Sequence, residues 1–428
     1  MIENDSSRNL AVRLALLLIS ICFVMSANTL YCNTGNRSNQ VRLCAICLIC
    51  FIVVIVLQWL KEPIEIDFLQ RWVLYALFVV ISYLATSLFS GIFGGFGMVV
   101  ATCNLAISPL FCKVIIKGRH LDALLEFFVD IVSFLAISSI VLWLLGPVLG
   151  VIASNCSIMS SWGGKGVFTS KPGWYGLLYV TQLSDTFGTS VARNTGIFCE
   201  APMYSFVLCM ALIFERFFRM KPRLGVLGLL GLTILTTLST TGMILCLLVL
   251  VEWLFSTANK FNSGIRVLLY LALILTIVAI VALAMSLLFQ KMDTASGVTR
   301  LDDFKAGFSA WMDNVLLGNG FAFDAIQKYM SGFRRGNLGF SSSPLEILAK
   351  GGVLWFLTFV PGIIGFARSN HRLRYGSFCF IVLWTVTIVS ILPLTLFCFG
   401  LGACAAFSVP GRVGATTGEA FNVLKNSS

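Results

Sequence analysis

Apolar runs of about 20 residues, the length a helix needs to cross a bilayer, recur from one end of the chain to the other with short charged connections between them. They predict spans near 14–31, 43–60, 72–90, 98–112, 126–150, 203–218, 224–238, 241–256, 267–289, 345–366, 377–391 and 394–409. The expected fold is all-α: a polytopic integral membrane protein with about 12 transmembrane helices in a single multi-pass membrane domain, 1–428. Two pairs of spans meet at very short connections, Ser239–Thr240 and the break around Pro393. Reading either pair as one long tilted helix would exchange the sides of every later loop. The first run follows Arg8 and Arg13 as a signal peptide would, but no small-residue cleavage pattern follows, and it reads as an uncleaved span.

Two connections are long, 151–202 and 290–344. Structureless loops of that length are uncommon without a function. Alternate short connections collect the basic residues: Arg8 and Arg13; Lys61 and Arg71; Lys113, Lys117 and Arg119; Arg216, Arg219, Lys221 and Arg223; Lys260 and Arg266; Arg368, Arg372 and Arg374; Arg412 and Lys425. The short connections of the other set hold only Arg37 and Arg42. Positive charge stays inside, so both termini are predicted cytoplasmic and both long loops external.

Composition sharpens this picture. With 58% hydrophobic residues, 11% charged residues and a mean hydropathy of +0.92, the chain has too little polar surface to cover a soluble globule of 428 residues. The net charge of +11 is mostly the positive-inside set, and no basic patch is interleaved with aromatics, so no nucleic-acid partner is implied. The informative part of what remains is the group of external arginines, Arg193, Arg300, Arg334 and Arg335. An arginine fork donates paired hydrogen bonds to phosphate or carboxylate and stays protonated.

Cys44, Cys47 and Cys50 have metal-like spacing but lie in an apolar helix, where cysteine packs as a small hydrophobe. Cys32, Cys156 and Cys199 are placed externally, which leaves Cys156–Cys199 open as a bridge without implying a disulfide framework. The two histidines, His120 and His371, both fall in predicted cytoplasmic loops, so an external base would have to be a carboxylate. Glu346 and Lys350, four apart, are expected to pair inside the bundle. Gly91–Gly97 reads as a flexible external turn, and no metal spacing or phosphate-binding glycine loop is visible.

The most informative stretch is Arg193-Asn194-Thr195-Gly196-Ile197-Phe198-Cys199-Glu200-Ala201-Pro202. It puts a cation and a carboxylate at the end of an external loop, just before Met203–Phe217 enters the membrane. Burial at that boundary would raise the pKa of Glu200 and make it a base. Equally, a glutamate there can serve only the helix N-terminus, with Pro202 in the first turn.

This stretch resembles the Arg-x-x-Gly-Ile-Phe-x-Glu-x-Pro pattern of bacterial O-antigen and capsular polysaccharide polymerases (Wzy-type), which are related to O-antigen ligases. Later residues follow in the same order: Leu238-Ser239-Thr240-Thr241-Gly242 opens a span, Arg300 precedes Gly318-Asn319-Gly320-Phe321, and Ser341–Leu345 leads into Ile347–Gly352. The resemblance covers roughly 190–367. It implies a GT-C-like, metal-independent glycosyltransferase without cofactor in the bacterial cytoplasmic (inner) membrane. The implied substrate is undecaprenyl-pyrophosphate-linked oligosaccharide, used for O-antigen, capsule or exopolysaccharide, with membrane lipid and a chain-length regulator protein as candidate partners. On this reading Arg193 and Arg300 hold the pyrophosphate, Lys305, Arg334 and Arg335 support them, and Glu200 orients or deprotonates the acceptor hydroxyl. The related ligases carry a histidine near the end of the second external loop where this chain has Ser341-Ser342-Ser343, which favours polymerase over ligase. Two other classes stay open: a lipid-linked oligosaccharide flippase, and a scaffold component of an envelope complex.

Overall fold

A computed structural model describes residues 2–33, 38–160, 169–186, 189–258, 295–322, 324–332 and 340–408, together with 262–264, 266–268, 270–271, 274–275 and 278. The membrane part begins with five long helices: α1 (Ile2–Met25), α2 (Ser38–Trp59), α3 (Ile66–Ser90), α4 (Gly95–Lys117) and α5 (Leu121–Trp143), the last continued by a π-helical turn, Leu144–Val148. After the first long loop come α6 (Ala201–Ile213), with its own π-helical end Phe214–Phe218, then α7 (Leu224–Thr236) and α8 (Thr240–Ala258). The second long loop holds α9 (Ala295–Asp313) and the short α10 (Asp324–Gln327). The chain closes with α11 (Ser343–Phe356), α12 (Val360–Ala367), α13 (His371–Val386) and α14 (Pro393–Phe407).

Among the described residues, seven helices are long and apolar enough to cross a membrane, or eight when the bent pair α11 and α12 is taken as one. The expected spans at 224–238 and 394–409 are shorter apolar helices, and most of 267–289 lies outside the described residues. Both doubtful junctions are real breaks. Leu238, at φ 51, ends α7 before α8 begins, and six residues separate α13 from the proline that starts α14. The first long loop is not structureless. It folds into a three-stranded sheet, β1 (Cys156–Ser160), β2 (Thr169–Trp174) and β3 (Leu178–Tyr179), and a hairpin, β4 (Leu183–Thr186) with β5 (Thr189–Ala192).

α6 is the centre of the bundle. It is hydrophobic on every side, so it needs neighbours on every side, and 89% of its spanning window is buried. Its inner end is tied by ion pairs. Glu215, fully buried, accepts from Arg219 and Arg223; Arg216 pairs with Glu252 at 2.6 Å, and Arg223 with Asp130 at 2.7 Å. These arginines therefore hold α5, α6 and α8 together rather than merely marking the predicted cytoplasmic side. The expected Glu346–Lys350 pair forms, and Ser390 also donates to the Glu346 carboxylate.

α11 is broken within the apolar region, at Gly352 (φ 64, ψ −167), and α12 turns away from it by 79°. A break at that depth exposes peptide groups that have no water to bond. The Gly318-Asn319-Gly320 turn supplies the partners. The amides of Asn319 and Gly320 donate to the carbonyls of Ala349 and Lys350 at 3.0 and 2.9 Å, and those of Val353 and Leu354 donate to Val315 and Leu316 at 2.9 and 3.0 Å. Phe321 then stacks on Tyr83 at 5.4 Å, and a Cβ on Gly94 would come within 2.6 Å of it. The glycine-rich 91–97 connection is thus a docking site for the second loop, not a loose turn.

Cys156 and Cys199 carry no bridge, although both pack with Leu30 and Tyr179 in one small cluster. Cys47 and Cys50 are buried in the core.

A side chain at Gly352 would meet the Leu316 carbonyl at 2.4 Å and the Gly318 amide nitrogen at 2.6 Å in a backbone region that excludes Cβ. Gly352→Ala should therefore destabilise the detergent-solubilised protein by about 3 kcal/mol, read as a clear drop in Tm; an unchanged Tm would show that the break does not need glycine.

Candidate functional site

The site is built at the predicted external end of α6 and α7. α7 ends without a following turn of helix, so its last carbonyls have no partner of their own. The 193–202 stretch takes three of them in succession. The Asn194 amide donates to Thr236 O at 3.1 Å, Arg193 Nε to Thr237 O at 2.9 Å, and Arg193 Nη2 to Leu238 O at 3.2 Å. A guanidinium at the negative end of a helix is favourable in charge as well as in hydrogen bonding. Asn194, fully buried, adds its Nδ2 to Thr236 Oγ1 and Ser139 Oγ at 3.0 and 3.2 Å. In this way the Arg193 stretch and the Leu238–Gly242 stretch, two separate features of the sequence, become one structure.

The remaining residues of the stretch have their own local reasons. Gly196, at φ 51, lies 3.1 Å from the Tyr204 ring when given a Cβ, and Phe198 stacks on the same ring at 5.0 Å. Phe198 bridges to Thr29 of the α1–α2 connection, and the Cys199 amide donates to Asn28 O at 3.0 Å. Pro202 occupies the first turn of α6, where its missing N–H is harmless. Glu200 stands at the N-cap position in extended conformation (φ −154, ψ 153), yet its side chain makes no capping hydrogen bond. The carboxylate thus stands at the helix N-terminus, where the macrodipole favours it, without bonding to the first-turn amides.

The charges converge. Burial pushes the Arg193 guanidinium below its ordinary pKa, the Glu200 carboxylate acts on it in the opposite direction, and Arg300 adds a further lowering repulsion. The charges of Glu200 and Arg300, 100 positions apart in the chain, thus both act on Arg193. Arg193 remains cationic, and the bonds described use three of the five N–H donors of its fork. Arg300 and Lys305 are both exposed on α9. That helix is fixed from below, where Ala306 and Ala310 pack against Phe340, Leu345 and Ala349. Among the described residues no hydrogen bond or ion pair engages Arg300. Arg334 and Arg335 lie outside the described residues.

One residue that shapes the site escaped sequence reasoning. Gln182 Oε1 accepts from Arg193 Nη1 at 3.3 Å and from the Ala201 amide at 3.1 Å, so it joins the arginine to the start of α6. No spacing or periodicity marks a glutamine in a long polar loop for that task. Below the site, α6, α7 and α8 enclose an apolar groove of about 600 Å³ that runs from Arg216 and Trp253 up to Leu235 and Thr240, two residues from the Leu238 carbonyl that Arg193 holds.

Residues 225–360 match the family model described as O-antigen ligase. The match places this part of the chain in the O-antigen ligase and Wzy-related family. It runs from α7 through the break in α11 to the first residue of α12, and includes Arg300, Lys305 and the Gly318–Phe321 turn. The Arg193–Pro202 stretch lies just outside it and is joined to it by the hydrogen bonds above. No curated protein and no solved structure matches the chain.

The fork geometry is what two adjacent carbonyls require, and a lysine ammonium would serve them only as a point charge. Arg193→Lys should lower stability by about 2 kcal/mol, the cost of a buried carbonyl left unpaired, measured as Tm in detergent; a wild-type Tm would mean that the end of α7 is held by other contacts.

Proposed function

We propose, from the family of residues 225–360 and the convergence of Arg193, Glu200 and Arg300, that this chain is a membrane glycosyltransferase joining undecaprenyl-pyrophosphate-linked oligosaccharide repeat units into polysaccharide. The observation that carries the reading is the match of residues 225–360 to the O-antigen ligase family model, with Arg193 held by hydrogen bonds to the end of α7 inside that region. Breaking a sugar–pyrophosphate bond leaves negative charge on the leaving group, and fixed cations aimed at it stabilise that charge as it develops. Arg300, exposed on α9, meets the pyrophosphate directly, with Lys305, Arg334 and Arg335 as supporting cations. Arg193 contributes its remaining donors and the positive field behind them. Glu200 holds the acceptor hydroxyl and takes its proton as the new glycosidic bond forms. The apolar groove beneath the site suits the polyprenyl tail, whose head group would then lie at the membrane boundary.

A ligase reading shares all of this chemistry and differs only in the acceptor; the description of the matched family favours it. The polymerase reading is supported by Ser341-Ser342-Ser343 where the related ligases carry histidine, and by the placement of both histidines elsewhere: His120 is hydrogen-bonded to Gln58 at 2.7 Å at the inner end of the bundle, and His371 begins α13.

Arg300 is the cleanest probe because it is exposed and, among the described residues, no hydrogen bond or ion pair engages it. Arg300→Ala should leave Tm unchanged and slow extension of purified lipid-linked repeats about a hundredfold, the scale for removing one donor aimed at developing charge. Undiminished extension by Arg300→Ala would remove the pyrophosphate role. Supplying a core lipid acceptor in place of a second repeat separates the ligase from the polymerase, and relocation of the repeat without lengthening would indicate a flippase.

A further inference from the structure

The three-stranded sheet of the first long loop ends in a two-residue turn, Tyr175-Gly176, at φ 53 and 70, closed by the Leu177 amide donating to Trp174 O at 3.1 Å. Turns of this type call for positive φ at both central positions and favour asparagine, aspartate or glycine at the first. A tyrosine there is strained, since its Cβ crowds its own backbone. Its ring gains nothing from the core in return: Tyr175 is 63% exposed, in the turn that follows β2. The strain is nevertheless held in place, because the Tyr175 amide donates to Asn155 Oδ1 at 2.8 Å.

A second tyrosine reaches the same turn. Tyr31, from the α1–α2 connection, is 38% exposed and donates its hydroxyl to Gly176 O at 2.6 Å, one residue from Tyr175. Tyr31 is set edge-on against Tyr179, with ring centres 6.2 Å apart. Tyr179 in turn is bonded to the 193–202 stretch: its amide donates to Gly196 O at 2.9 Å, and Thr195 donates its hydroxyl to Tyr179 O. The tyrosines therefore move as one body with the stretch that carries Arg193 and Glu200.

We propose that Tyr175, with Tyr31 beside it, is a stacking platform for a pyranose ring of the lipid-linked oligosaccharide, next to the site that would hold its pyrophosphate. The C–H face of a sugar ring is apolar and slightly positive, and it complements the negative face of an aromatic ring. Tyrosine supplies that face with little loss of side-chain freedom, and its hydroxyl stays available to the sugar's polar edge. The platform would hold the glycan in register while the bond at the pyrophosphate is broken. The proposal rests on the glycosyltransferase reading above.

The strain provides its own test. Asparagine fits the turn better than tyrosine, so Tyr175→Asn should keep or raise Tm whatever the function of the ring. If the ring binds sugar, Tyr175→Asn should raise the apparent KM for purified lipid-linked repeats about tenfold with kcat retained, while Tyr175→Phe stays within about twofold of wild type. Equal KM for Tyr175→Asn and wild type would overturn the platform and leave the transferase reading intact. Should the wild-type protein not extend glycans at all, equilibrium binding of the same radiolabelled repeats decides: about tenfold weaker binding by Tyr175→Asn keeps the platform, and equal binding removes it. Loss of the variant from the membrane fraction would instead assign the ring to anchoring at the lipid interface.

Discussion

The end of α7 sets the constraint from which the arrangement of the site follows. A helix that stops at the boundary of a bilayer leaves carbonyls that neither water nor a next turn can satisfy. Here the amide of Asn194 and the fork of Arg193 take the carbonyls of Thr236, Thr237 and Leu238. That one set of hydrogen bonds fixes the first long loop onto the end of α7 and orients the start of α6 through Gln182. A residue singled out for substrate chemistry is thus also a structural clamp. The two roles are compatible, because the clamp consumes three of the five N–H groups of the fork and fixes the direction of the rest.

The second long loop is held by the same physical rule applied elsewhere. α11 breaks at Gly352, and the Gly318-Asn319-Gly320 turn inserts to pair the peptide groups that the break frees. Phe321 then docks against Tyr83 and the α3–α4 connection. α9 rides on this assembly through a small apolar core of its own, so Arg300 is presented from a fixed helix rather than from a free loop. Arg193 and Arg300 are thus both carried on rigid supports, the end of α7 and α9.

The sheet of the first long loop has no counterpart in the hydropathy of the chain. Its strands are short, and alternation is weak in Thr169–Trp174 because the strand contains both proline and glycine. Its contribution is visible only in contacts: Trp174 donates to Ile152 O at 2.9 Å, Tyr179 docks on Gly196, and Tyr31 reaches in from another connection. The same holds for Cys156 and Cys199, whose shared cluster gathers residues from three separated stretches.

The sequence by itself determined that this is a polytopic helical membrane protein, that two long connections carry the chemistry-bearing charge, and that Arg193–Pro202, Leu238–Gly242 and Gly318–Phe321 are special. Hydrophobic run length and local residue pattern are one-dimensional signals, and a bilayer converts them almost directly into helices. Only the tertiary structure decided what those stretches do to one another: that Arg193 closes the end of α7, that Gly91–Gly97 receives Phe321, and that Gln182 joins the parts. Each of these is a pairing between groups distant in the chain, chosen by which buried donors and acceptors would otherwise remain without partners. A single sequence records the groups but not which of them meet.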